Sequence, residues 1–90
     1  MKYKVRQMVT REGNPATNQF LLYTLEGTYF QSYNSIIAFR DNNNKVQLDN
    51  NAWNYSRTTS IYRSTFLLGE STDETKSKIL SGEYQLTNLN

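Results

Sequence analysis

Apolar and polar residues alternate along several short stretches of the chain, a pattern typical of β-strands that turn one side toward a core. Residues 2–10 form the first such stretch and predict a strand with one apolar side and one largely basic side. The apolar side carries Tyr3, Val5 and Val9, and the largely basic side carries Lys2, Lys4, Arg6 and Met8. Gly13, Asn14 and Pro15 follow with the residue types of a turn, so the chain is expected to reverse there.

Four more stretches have the apolar content of strands, namely residues 18–25, 28–33, 35–40 and 45–49. The first of these is apolar on both sides, as expected of a central strand that is covered on both faces. Glu26-Gly27 is a tight connection between the first two and predicts a hairpin. Tyr84 and Leu86 share one side of the last stretch, residues 83–90, which can pair as a sixth strand.

The spacing of apolar residues changes to a helical period after Thr58. The predicted inner arc of this helix contains Ile61, Tyr62, Thr65, Phe66 and Leu68, and the outer arc contains Ser60, Arg63 and Ser64. Ser56, Thr58 and Thr59 are each suitable N-caps because a short hydroxyl can accept a hydrogen bond from the first turn. Trp53 and Tyr55 precede the helix on one side of an extended segment.

Ser71 and Glu74 have the spacing of a capping box and predict the start of a second short helix, which Gly82 is suited to end. Together the elements predict a single α+β domain over residues 1–90. We expect a twisted antiparallel sheet of five or six strands with the two short helices on one face. Its core is expected to come mainly from large apolar residues: Trp53, Tyr62, Phe66, Phe20, Leu22, Ile37, Phe39, Val46 and Leu48.

Composition narrows the chemistry that the chain can perform. None of its 90 residues is histidine or cysteine, which removes the commonest general base, the thiolate nucleophile, the disulfide and most zinc ligands. The 8 acidic residues are scattered, and the sequence contains no Gly-rich phosphate loop and no nucleophile elbow. We therefore predict a protein that is not an enzyme and has no catalytic, metal-binding or cofactor-binding residues.

The formal charge of +2 at pH 7 makes the basic residues candidates for contact with a partner. The candidate surface for a partner or a nucleic acid comprises Lys2, Lys4, Arg6, Tyr55, Arg57 and Arg63. Such a surface could follow phosphates with its basic groups while tyrosines stack on bases. The alternative, which we favour, is that lysines on an edge strand discourage association while the large aromatic residues fill the core.

Several segments resemble a family of small uncharacterised proteins encoded by bacteriophages and mobile elements. Residues 30–38 have the pattern F-x-S-Y-x-x-x-I-A, residues 53–59 the pattern W-x-Y-S-x-T-T, and residues 62–67 the pattern Y-x-x-x-F-L. The end of the chain, residues 82–90, belongs to the same resemblance, which extends over residues 28–90 and leaves out the N-terminal hairpin. The resemblance implies a phage origin but no activity and no site residues.

These observations lead to one principal expectation and two alternatives. We expect a small non-catalytic accessory protein of phage type that binds, and modulates, a host protein, with a homodimer as a further option. The alternatives are a nucleic-acid-binding protein that uses the basic and aromatic surface, and a small enzyme or nucleotide-binding module. Residues 1–6 contain no apolar run, so we expect no signal peptide, no membrane partner and a cytoplasmic location, that of the host cell for a phage-encoded protein.

Overall fold

A computed structural model of the chain describes residues 3–90. Within these residues lie six strands and two helices. The strands are β1 (Lys4–Val9), β2 (Pro15–Tyr23), β3 (Gly27–Ser32), β4 (Ser35–Asp41), β5 (Val46–Asp49) and β6 (Gln85–Thr87). The helices are α1 (Arg57–Phe66) and α2 (Thr72–Ser81). No helix in residues 3–90 is long and apolar enough to cross a membrane.

The strands form one sheet in the order β1-β2-β3-β4-β5-β6. Each of the first five strands pairs antiparallel with its neighbour, while β6 pairs parallel with β5. Both helices lie between β5 and β6 in the chain, and such a helical crossover returns the chain in its original direction. The predicted α+β class with a six-stranded sheet is confirmed. The prediction that all strands are antiparallel was wrong for β6, which makes the sheet mixed.

The two helices lie on one face of the sheet, as predicted. Phe66 of α1 stacks on Phe30 of β3, with ring centroids 5.9 Å apart. Near the start of α1, the Thr59 hydroxyl lies 3.0 Å from the Ser32 hydroxyl of β3. Ile79 of α2 packs against the same core as Phe30 and Phe66. The helix layer therefore covers the middle of the sheet from one side.

Both helices begin, and α2 ends, where the local sequence signals place those ends. Ser56 caps α1 by accepting a hydrogen bond from the Thr59 amide. Ser71 and Glu74 form the complete capping box of α2, and Gly82 ends that helix in the left-handed conformation with φ 85°. Short-range sequence patterns are sufficient here because each cap depends on residues that are three or four positions apart.

The inner side of α1 differs from the predicted arc. Its buried residues are Thr59, Arg63 and Phe66, whereas Ile61 is 54% exposed. Thr59 and Arg63 can be buried because the Thr59 hydroxyl and both terminal nitrogens of Arg63 form hydrogen bonds to other protein groups, although Nε of Arg63 has no partner. An arc drawn from hydropathy alone excludes such residues, and the predicted arc was therefore wrong for Arg63 and Ile61. It was also wrong for Thr65 and Leu68, which are exposed.

The buried core confirms part of the predicted set, namely Ile37, Val46, Leu48 and Phe66, with Trp53 and Tyr62 packed against it while partly exposed. The core prediction was wrong for three residues that are only half-buried: Phe20, Leu22 and Phe39. Their side chains lie on the opposite face of the sheet, as the strand register below shows. The apolar pattern of β2 indicated a strand covered on both faces, but the helices of the described chain cover only one.

Candidate functional site

The face of the sheet opposite the helices carries a continuous row of side chains, one from each strand. Strand register defines this row as Val5, Leu22, Tyr29, Phe39, Gln47 and Gln85. The adjacent row through Phe30, Ala38 and Leu48 belongs to the buried core. Because side chains alternate between the two faces along each strand, the first row points away from the helices.

A second, shorter row lies beside the first on the same face and consists of Gln7, Phe20, Gln31 and Ile36. We call the ten residues of these two rows the open face. None of the ten is a charged residue, although 20% of the residues in the chain are charged. Depletion of charge around aromatic residues distinguishes the centres of protein interfaces from ordinary protein surface.

The centre of the open face is aromatic. Tyr29 and Phe39 have ring centroids 4.4 Å apart with an interplanar angle of 33°. They lie on β3 and β4, the two middle strands of the sheet, and both are half-buried. Each ring shields part of the other, while their outer faces meet solvent because no described helix lies over them.

The two ends of the long row differ in shape. At the β1 end, Val5 is 65% exposed, and Tyr3, two residues earlier, is 59% exposed. At the other end, the row leads into a depression of about 450 Å³ that Phe39, Gln47 and Gln85 line together with the charged residues Asp41, Lys45 and Glu83. The open face thus has projecting apolar side chains at one end, aromatic rings at its centre and a hollow at the other end.

The basic residues predicted as a partner surface lie elsewhere. Lys4 and Arg6 are exposed on edge strand β1, and their side chains lie on the face of the sheet opposite to that of Val5. Lys2 lies outside the described residues. Arg57 is exposed at the start of α1, close to Tyr55, which is 48% exposed. Within residues 3–90, no hydrogen bond or ion pair links the β1 pair to the residues at the helix start.

Arg63 does not belong to that surface, and its assignment there was wrong. Its exposed fraction is 0%, and its guanidinium lies 5.1 Å from the centre of the Trp53 ring. Nη1 donates to the Trp53 carbonyl and to Asn54 Oδ1, while Nη2 donates to Thr72 Oγ1 at 2.7 Å. Burial lowers the pKa of Arg63, and the negative charge of Glu70 partly opposes that effect. This side chain therefore joins the loop before α1 to the start of α2.

Glu70, between the helices, is a buried carboxylate that the sequence analysis missed. It accepts hydrogen bonds from the hydroxyls of Thr75 and Tyr84, at 2.7 and 2.8 Å, and forms an ion pair with the Lys78 ammonium at 2.6 Å. Burial alone would raise its pKa, but these donors outweigh burial and lower it. Burial and the bond to Glu70 raise the pKa of Tyr84, and the same carboxylate raises the pKa of Lys78. An isolated acidic residue gave no sequence signal for such a cluster.

Asp49 at the end of β5 is the second buried carboxylate, with 2% of its surface exposed. It accepts hydrogen bonds from the backbone amides of Asn51, Ala52 and Leu89. Burial raises its pKa, and these bonds, together with one from the Asn90 side chain, lower it below the usual value. Asp49 and Glu70 thus hold the last segment of the chain against the rest. Among the described residues, no three acidic, histidine or cysteine side chains lie close enough together to hold a metal ion.

Fold and surface together define a small α+β domain with helices on one side of its sheet. The other side has an uncharged centre that charged residues border at one end. Residues 3–82 match DUF8033, a family of unknown function, and the chain belongs to that family. The match includes the β1–β2 hairpin that the sequence resemblance left out, and it ends before β6. No curated protein and no solved structure gives a significant match.

Proposed function

We propose that this chain is a small non-catalytic accessory protein that acts by binding a host protein through its open face. The observation that carries the proposal is the uncharged row across the sheet with Tyr29 and Phe39 at its centre. Aromatic residues at the centre of a charge-depleted patch supply much of the binding free energy in protein interfaces. The resemblance to phage and mobile-element proteins supports a phage origin, and hence a partner in the bacterial cytoplasm.

The non-catalytic part of the proposal is supported by the two buried carboxylates. A catalytic carboxylate needs an accessible oxygen that can reach the proton of a substrate. Asp49 and Glu70 instead accept hydrogen bonds from groups of the protein itself, and both are almost fully buried. These hydrogen bonds give both carboxylates a structural role, which is to anchor the last strand.

Nucleic-acid binding is a second candidate, supported by the exposed side chains of Lys4 and Arg6 on one side of an edge strand. Binding through these groups releases counterions, so its affinity falls steeply as salt is added. Exchange of both residues for glutamate should abolish such binding, whereas Gln47→Lys on the open face should leave it intact. An affinity for RNA or DNA that shows no salt dependence would exclude this candidate.

A photoreactive residue on the open face tests the proposed function while the partner is still unidentified. Benzoylphenylalanine replaces Gln47 in one version of the chain and Ile61, which is 54% exposed on α1, in a matched control. After irradiation in the bacterial host, we expect position 47 to give an adduct of one defined mass that differs from twice the mass of the chain, and position 61 to give none. Addition of Phe39→Lys should remove the adduct. Equal labelling from both positions, or labelling that survives Phe39→Lys, would count against the proposal.

A further inference from the structure

We infer that in the absence of the host partner a second copy of this chain covers the open face. The two sheets pack face to face about a twofold axis that runs parallel to the strands. The face is that of the proposed function, on which this inference rests. A twofold axis pairs one surface with itself, so the surface must be complementary to its own copy in area, charge and shape.

The side of the sheet opposite the helices, with the open face at its centre, is large enough for a stable dimer. The extents of the molecule are 34 × 31 × 21 Å, and the smallest of them is the thickness expected of one helix layer on one sheet. The sheet therefore extends along the two larger dimensions. An ellipse of those dimensions covers roughly 800 Å² and measures this whole side of the sheet, including the margin around the open face. That is the area that each partner buries in an interface of standard size.

The charge pattern of the open face fits a copy of itself. Two identical charged patches repel each other, and burial of an unpaired charge is unfavourable. The ten residues of the open face carry no charge, and apart from Tyr29 its polar residues are glutamines: Gln7, Gln31, Gln47 and Gln85. The charged residues Asp41, Lys45 and Glu83 lie around the depression at one end, outside this uncharged centre. A glutamine side chain both donates and accepts hydrogen bonds without carrying a charge, so it can be covered by a second copy without burial of a charge.

The aromatic centre also favours a second copy. In a six-stranded sheet, an axis through the middle passes between β3 and β4, which carry Tyr29 and Phe39. An axis parallel to the strands places Tyr29 of each copy over Phe39 of the other. The four rings then form one cluster at the centre of the interface, where residues that contribute most to binding are concentrated.

The shapes of the two ends select the direction of the axis. Rotation about an axis parallel to the strands brings β1 of one copy over β6 of the other, so Val5 and the neighbouring Tyr3 meet the depression beside Gln85. Both depressions are filled in this way. An axis perpendicular to the strands would instead place Val5 against Val5 and leave both depressions empty, which forfeits contact area.

Such a dimer regulates the proposed docking surface. Its aromatic centre is available to a host protein only in the separated chain, so the host protein competes with the second copy. The apparent affinity for the host protein then falls as the concentration of the chain rises above the dissociation constant of the dimer. High expression therefore stores the protein in a form that does not bind its partner.

Sedimentation equilibrium of the full chain over a concentration series tests the inference. We expect the wild-type chain to approach twice its mass of 10.5 kDa as concentration rises. Phe39→Lys, which buries a charge at the centre, should raise the dimer dissociation constant at least about 100-fold. Gln47→Lys replaces an already polar side chain and should raise it at least about tenfold without loss of the fold. Ile61→Lys on the exposed side of α1 should leave it unchanged.

A charge pair tests the direction of the axis. Val5→Lys and Gln85→Glu lie on opposite edge strands of one chain, too far apart to interact within it, but face each other across the proposed interface. Each single variant should weaken the dimer by about tenfold, and the double variant should return to within about threefold of the wild type. Failure of the double variant to recover would overturn this arrangement.

Two further results would overturn the inference. One is a wild-type chain that stays at its single-chain mass up to about 0.5 mM, since self-association weaker than that has no regulatory effect. The other is a dimer that Phe39→Lys and Gln47→Lys both leave intact. In either case an adduct between photoreactive position 47 and another protein would show that the proposed function survives. Loss of both the dimer and every adduct would reject the function as well.

Discussion

The Tyr29 and Phe39 rings lie 4.4 Å apart on the two middle strands of the sheet, on the side that the helices do not cover. On the covered side, Phe30 is the immediate neighbour of Tyr29 in the chain and is completely buried under Phe66. Consecutive aromatic residues of one strand therefore have different roles. Phe30 stabilises the fold from within the core, whereas Tyr29 and Phe39 are partly exposed to solvent.

This difference in roles predicts different effects of truncation. Phe30→Ala should lower the free energy of unfolding by roughly 3–5 kcal/mol, because it leaves a cavity in the core. Phe39→Ala should lower the free energy of unfolding of the separated chain by only about 1 kcal/mol, because the Phe39 ring packs on one side alone. Urea denaturation at low protein concentration measures both values. Equal losses for the two variants would show that the open face is part of the core.

The buried carboxylates predict a loss of stability in acid. Their pKa values are lower in the folded chain than the ordinary 3.8 of Asp49 and 4.5 of Glu70. Stability from these groups is therefore present above the unfolded pKa values and is lost as pH falls through the folded ones. The free energy of unfolding should drop between about pH 5 and pH 3, and Glu70→Gln should show a smaller drop. Glu83→Gln is the control, since its exposed carboxylate lies 3.8 Å from the same Lys78 ammonium. If the free energy of unfolding of Glu70→Gln falls with pH in parallel with that of the wild type, Glu70 does not stabilise the fold through its charge.

The two arginines of the central region should respond in opposite ways to substitution. Arg63→Lys removes the planar group that bonds to Trp53, Asn54 and Thr72 in a completely buried position. It should lower the free energy of unfolding by about 2–4 kcal/mol, because an ammonium cannot reproduce that geometry. Arg57→Lys at the exposed start of α1 should change it by less than about 0.5 kcal/mol. Thermal or chemical denaturation measures the free energy of unfolding of both variants. Similar losses for the two arginines would contradict the prediction.

Leu68 should be replaceable with a gain in stability. It is 90% exposed and has φ 62°, a left-handed conformation that disfavours side chains with a Cβ atom. Leu68→Gly should raise the free energy of unfolding by about 0.5–1 kcal/mol. Leu80 is similarly exposed, at 89%, but lies within helix α2. Leu80→Gly should therefore lower the free energy of unfolding by up to about 1 kcal/mol. A loss of stability in Leu68→Gly would mean that the Leu68 side chain makes a stabilising contact.

Local elements of this fold could be predicted from sequence because their signals are local. Ser56, Ser71 and Gly82 mark helix ends through contacts within one turn, and alternation of residue types locates the strands. Sequence patterns could not show which face of the sheet the helices cover. Phe20 and Phe30 have the same apolar character, and only the path of the chain between β5 and β6 places Phe30 under the helices and leaves Phe20 half-buried on the other face.

The buried polar residues escaped prediction for a different reason. Arg63 and Glu70 have the hydropathy of surface residues, and their burial depends on hydrogen-bond partners that are distant in sequence, such as Trp53 and Tyr84. The parallel pairing of β6 was missed because Leu86 fits either strand direction equally well. The open face itself is a consequence of topology, since its rows combine residues from all six strands.

Hydroxyl-radical footprinting is the most direct test of the claim that another protein covers the open face. The modification rates of Tyr29 and Phe39 are measured in the bacterial cell and in a dilute solution of the purified chain, with the exposed Tyr55 as internal reference. We predict that Tyr29 and Phe39 react at least about fivefold more slowly in the cell while Tyr55 reacts equally fast in both settings. Equal rates for Tyr29 and Phe39 in both settings would contradict the claim.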